Sequence, residues 1–137
     1  MENIFRLVFI LCLFSFKNIP NKVIKPQKQL LEPSFLDNRK TVDSLKKIYG
    51  SETITFDKWD KEATDSCLFV CLINSTIIPK GFENTYQFKN IASAIKKVLV
   101  YPKNYKSIYV IFVTKLILNG KEAKMHTAGM EVFSSEI

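Results

Sequence analysis

The chain has 137 residues, 47% hydrophobic and 12% aromatic, with four Gly and five Pro. That length supports one domain rather than two, and the composition excludes collagen-like, low-complexity and disordered chains. The net charge of +7 rests on lysine, since Arg6 and Arg39 are the only arginines. Lysine's solvated, non-directional charge argues against sequence-specific nucleic-acid binding, and for solubility or attraction to an anionic surface.

The first sixteen residues stand apart. Leu7 to Phe16 is an apolar run with Ser15 as its only polar member, preceded by Glu2 and Arg6 and ended by Lys17. This is the layout of a secretory signal, so residues 1–16 are expected to be a signal peptide or a short membrane anchor, and the protein to be exported, periplasmic or envelope-associated. Membrane association would run through this segment. A lipoprotein reading places Cys12 at the modified position, but Phe9-Ile10-Leu11 lacks the small residues that precede such a cysteine, and no A-x-A site follows the run. A third reading keeps the segment as a retained anchor or a buried N-terminal piece. As a helix, ten residues span about 15 Å, half of a bilayer core.

Residues 17–36 read as a tether, with four lysines and two prolines before Glu32. A single domain is expected over 37–137. Asp37 or Asn38 caps a first helix to about Tyr49, with Val42, Leu45 and Tyr49 as its apolar stripe, Lys46 and Lys47 in its last turn and Gly50 as its stop. Ser51 to Trp59 alternates as a half-exposed strand with Ile54 and Phe56 on one face. Cys67 to Ile73 is apolar on both faces, as an interior strand should be. Asn84 or Thr85 opens the second helix, with Gln87 placed for a capping box. Phe88, Ile91, Ile95, Val98 and Leu99 form its buried face; Lys89, Asn90, Ser93, Lys96 and Lys97 form its wet face. Tyr105 to Leu118 holds the strongest strand. Asn119-Gly120 is the preferred two-residue hairpin turn, and Lys121 to Phe133 returns as an edge strand with Glu122 and Lys124 in water. The order α-β-β-α-β-β predicts an α+β fold: a four-stranded antiparallel sheet of two hairpins, with both helices packed on one face.

No catalytic, cofactor-binding or metal-binding residue set is expected, and the protein is read as not an enzyme. Cys67 and Cys71, four apart on one strand, lie roughly 13 Å apart, too far to bond; they are expected to be buried core thiols. His126 is the only histidine and falls on the last strand with Lys124 and Ala128 on its side. A Cys-His nucleophile and a zinc site therefore both lack partners. Asp57, Asp60, Glu62 and Asp65 form an acidic turn without the glycine and ordered oxygen series of a calcium loop. Asn74-Ser75-Thr76 matches a glycosylation sequon. Trp59, Phe82, Tyr86, Tyr101 and Tyr105 are either side-packing for a small sheet or an aromatic surface for a partner.

The order of elements, with the run from Phe88 through Ala94-Ile95 to Tyr105-Lys106-Ser107-Ile108-Tyr109-Val110-Ile111-Phe112, resembles short, uncharacterised bacterial exported or lipoprotein-like α+β proteins over about residues 38–134. The resemblance implies an envelope location and no known activity. The expectation is thus a small exported non-enzymatic envelope protein that binds an unknown macromolecular partner or an anionic surface. The alternative is a membrane-tethered or intracellular immunity-type or regulatory partner whose leader is a buried segment.

Overall fold

The computed structural model describes residues 32–58, 66–80 and 84–137. The expectations for Cys12, Trp59, Asp60, Glu62, Asp65 and Phe82, and for the leader as a whole, fall outside them. The described elements are α1 (Lys40–Ile48), β1 (Thr53–Thr55), β2 (Cys67–Ile73), α2 (Thr85–Val98), β3 (Ser107–Leu118) and β4 (Lys121–Phe133), with short 3-10 turns at Pro102–Asn104 and Ser134–Glu136.

The cap position of helix α1 is Arg39, left-handed at φ 68 and making no side-chain cap bond, rather than Asp37 or Asn38; Asp37 serves one first-turn amide from two residues further out. The Thr41 N–H donates to Asp37 Oδ2 at 2.7 Å. Hydrogen bonding from the Thr41 side chain first, and then from backbone amides including that of Thr41, holds the Asp37 carboxyl below the usual carboxylate range. Gly50 ends the helix at φ 57, a left-handed conformation that costs glycine nothing. A Cβ there would also fall 2.1 Å from Thr76 Oγ1, so glycine is required twice over. Ahead of α1, the Leu36 N–H donates to Val98 O and the Val100 N–H to Ser34 O, and Phe35 bridges Leu99. These residues join the packed fold before the helix begins. The Arg39 guanidinium lies over the rings of Phe35 and Phe56, 5.8 and 5.4 Å from their centroids.

The strands lie in the order β1-β2-β3-β4. The two hairpin-like pairs are antiparallel as expected, but β2 and β3 run parallel, from Cys67↔Ser107 to Ile73↔Val113. The sheet is therefore mixed rather than antiparallel. The reason is the connection: α2 carries the chain back along the sheet before β3 begins, and neighbours joined by a helical crossover run the same way. Strand β1 is also shorter than the 51–59 alternation implied, because only Thr53–Thr55 finds partners on β2.

Both helices lie on one face of the sheet. Val42, Leu45, Tyr49, Phe88, Ile91, Ala92, Ile95 and Leu99 pack there against Leu68, Val70, Leu72, Ile108, Val110, Phe112 and Val132. Within α2, Ala92 takes the buried place that the periodicity assigned to Val98, which is only half-buried. The capping box does not form. Asn84 makes no bond to the first-turn amides; its side chain accepts from Gln87 Nε2 and donates to Lys80 O. Lys96 is not purely solvent-facing either, because its ammonium donates to the main-chain oxygens of Ser134 and Ile137, both at 2.7 Å.

The opposite face carries a second apolar cluster of Cys67, Phe69, Cys71, Ile73, Ile111 and Val113.

Candidate interaction surface

The groups able to do chemistry come first. Cys67 and Cys71 are free and buried. Burial pushes both thiols up, Cys71 to about 11 with the Asp57 carboxylate adding to the effect. A thiol held protonated at neutral pH is a poor nucleophile. Cys71, Ile111 and Gly129 form one row across β2, β3 and β4, and the His126 ring lies against Gly129. The outer strands of that row are about 10 Å apart, so Ile111 stands between the thiol and the imidazole.

His126 also departs from the expected facing. A register shift between Phe112 and Val113 pairs Phe112 with Ala128 and Val113 with His126. Those two β3 residues point to opposite faces, so His126 and Ala128 do as well. Nothing in an alternating pattern marks the extra residue.

The raised Cys71 pKa predicts a pH dependence. A thiol whose folded pKa lies above its unfolded value of about 8.5–9 stabilises the fold below that value, and loses the contribution as pH rises toward 11. Wild type should lose roughly 2–3 kcal/mol more than Cys71→Val between pH 8 and 11 by urea melts, and equal losses would overturn the assignment.

The acceptor of the sequon is already committed. Asn74 Nδ2 donates to Glu52 Oε2 at 2.6 Å, and its Oδ1 accepts from the Lys115 N–H at 2.8 Å. Its backbone is left-handed at φ 49, a conformation that asparagine tolerates better than most residues. Asn74 therefore ends the β2–β3 ladder, its side chain replacing the next strand residue. Asn74→Ala should cost about 1–3 kcal/mol in chemical denaturation, since it frees the Lys115 amide and strains the backbone.

Among the described residues, a cavity of about 160 Å³ is lined by Glu32, Pro33, Phe56, Asp57, Lys58, Leu68 and Tyr105. Pockets that enclose small-molecule ligands run to about 300 Å³ and above, so it is too small for a drug-sized ligand or cofactor.

Among the described residues, exposed large hydrophobics gather at the end of the second hairpin. Strand β2 stops pairing at Val113, but β3 continues through Thr114–Leu118 against Lys121–Met125. This two-stranded arm leaves the sheet with its own turn, Asn119-Gly120, at φ 51 and 74 as a type I′ turn needs. Leu116 is 40% exposed, Met125 51%, Leu118 58% and Ile117 71%. Leu116, Leu118, Ala123 and Met125 share one face of the arm; Lys115, Ile117, Glu122 and Lys124 share the other. The Lys115–Glu122 ion pair, 3.5 Å across the diagonal, relieves the like charges of Lys115 and Lys124, which sit directly opposite each other. Ile48 and Ile77 are exposed at the same end of the molecule, where the Ile77 N–H donates to Tyr49 O and the Asn74 N–H to Val113 O.

Of the aromatics that sequence marked as a possible partner surface, Tyr86 and Tyr101 are exposed, and Tyr105 turns inward to the cavity. The arm itself was missed. The available signal was the unequal length of the two runs, seven residues for β2 against twelve for β3, which leaves an overhang in any pairing.

No protein-family model, curated protein or solved structure matches this chain.

Proposed function

We propose that this chain is a non-enzymatic binding protein whose β3–β4 arm is its contact for a protein partner. The observation that carries the reading is the overhang: an isolated two-stranded ribbon is marginal in water, yet this one holds four large apolar side chains in solvent beyond the sheet. Exposed apolar area clustered on a protrusion, rimmed by Lys115, Lys121, Glu122 and Lys124, has the composition of an interface core with a polar rim. The protonated, buried thiols and their separation from His126 support the non-enzymatic part. The reading serves an envelope protein and an intracellular partner protein alike, and the mass of the N-terminal peptide isolated from cells separates those two.

A photocrosslinking amino acid in place of Ile117 or Leu118, with Lys97 on the exposed side of α2 as control, tests the arm. Adducts of one protein at 117 and 118, absent at 97, are expected. Lipid adducts would favour an anionic surface instead. No adducts, or the same adducts at all three sites, would overturn the proposal.

A further inference from the structure

The β3–β4 arm prolongs the sheet face that holds both helices. Side chains alternate along β3, so Thr114, Leu116 and Leu118 continue the row of Phe112, whose ring centroid lies 5.6 Å from that of Tyr49 at the end of α1. Helix α1 stops at Ile48, so the helix layer ends at the base of the arm. The edge of that layer is apolar too. Ile48 is 60% exposed and Ile77 53%, and the Ile77 N–H donates to the Tyr49 oxygen. Arm and helix end thus make a corner, with Leu116, Leu118, Ala123 and Met125 as its floor and Ile48 and Ile77 as its wall. The floor is two strands wide and runs along Thr114–Leu118 for about 17 Å, the footprint of one helix of about eleven residues. The edges of the arm are less open to an added strand. On the β2 side, Asn74 Oδ1 already takes the Lys115 N–H. On the outer side, Lys121, Lys124 and the register shift opposite Phe112 and Val113 interrupt β4.

We infer that the partner of the arm is an acidic amphipathic helix, whose apolar stripe fills this corner and whose carboxylates meet the surrounding lysines; the inference rests on the arm being the contact for a protein. Charge selects the acidic partner. Lys121 stands at the tip of the arm, Lys46 and Lys47 lie in the last turn of α1, and all three are exposed. Glu122 and Glu52, the acids of the arm and of the sheet end beside it, are already engaged by Lys115 and Asn74. The same charge argues against a second copy of this chain. Each copy carries a net +7, and pairing two would set lysine against lysine around the apolar contact. An acidic helix instead offers apolar groups at i, i+3, i+4 and i+7 to the floor and wall, and carboxylates on its flanks to Lys47 and Lys121.

The test uses the full chain and two stapled helical peptides with leucine at i, i+3, i+4 and i+7, one flanked by glutamate and its twin by lysine. In amide NMR spectra, the signals of Ile48, Ile77, Leu116 and Met125 should move together on titration with the glutamate peptide. The lysine twin should bind at least about tenfold more weakly. The double variant Lys47→Glu, Lys121→Glu, changed only at exposed positions, should reverse that order. Equal affinities, an unreversed order, shifts that leave out Ile48 and Ile77, or no shifts at all would overturn the inference. Phosphatidylglycerol vesicles that moved the same signals more strongly than the glutamate peptide would assign the corner to a lipid surface. Shifts that grew with protein concentration alone would assign it to a second copy. Either result would also overturn the acidic helix. If the double variant does not fold, the comparison of the two peptides on the unaltered chain still decides. Failure here is separable from failure of the arm: adducts of one protein at residues 117 and 118 would keep the arm as a contact while the acidic helix is rejected.

Discussion

Phe112→Ala is expected to cost about 3–5 kcal/mol, the range for truncating a fully buried aromatic and the largest effect of any single change considered. Phe112 is 0% exposed. The rings of Tyr49 on α1 and Phe88 on α2 meet it edge-on, with centroids 5.6 and 5.8 Å away. One side chain on β3 thus joins both helices to the sheet, and its removal loses transfer energy, two aromatic contacts and the filling of the space between the helices. Phe112→Leu, which keeps most of the volume, should cost clearly less. Urea melts at unchanged m-value give both figures. Equal costs for the two substitutions would mean that retained volume recovers nothing and that the ring contacts account for the whole loss.

Ile95→Ala should cost about 2–5 kcal/mol, since Ile95 is 0% exposed at the centre of the buried stripe of α2. Its neighbour provides the contrast. Helical spacing puts Lys96 on the wet side and predicts a loss within about 0.5 kcal/mol on truncation. The two bonds from its ammonium to Ser134 and Ile137 oxygens change that expectation. Lys96→Ala should instead cost about 1–2 kcal/mol, because bonds to a charged donor contribute more than neutral ones and the 3-10 turn at Ser134–Glu136 loses an anchor. Lys97→Ala, at an exposed position, should remain near neutral. If Lys96→Ala and Lys97→Ala behaved alike, the anchoring role of Lys96 would be refuted; if Ile95→Ala joined them, the buried face of α2 would be misassigned.

Local chemistry was legible wherever one short window carried the whole cause. The bond of Asp37 to the Thr41 amide, the Gly50 stop, the limits of β2 at Cys67 and Ile73, and the Asn119-Gly120 turn each depend on a few neighbouring residues. The stripe of α2 was readable for the same reason, apart from the exchange of Ala92 for Val98. A small alanine fits the closest approach of helix to sheet, and how close that approach is depends on the sheet. Burial of Cys67 and Cys71 followed from an apolar run on both faces of a strand.

What the tertiary structure decided involves distance along the chain. The parallel pairing of β2 with β3 depends on where α2 returns the chain, and a run of apolar residues is the same in a parallel or an antiparallel neighbourhood. The shift that turns His126 and Ala128 to opposite faces arises from pairing with β3, not from the alternation within β4. The reach of Lys96 to residues 38 and 41 positions away and the double use of Asn74 across the sheet end are likewise invisible locally. The arm lies between the two cases. By itself the sequence determined its strands, its turn and its apolar residues, because those follow from local propensity and alternation. Only the three-dimensional register, in which β2 ends five residues before β3 does, decided that those residues stand in solvent rather than in a core.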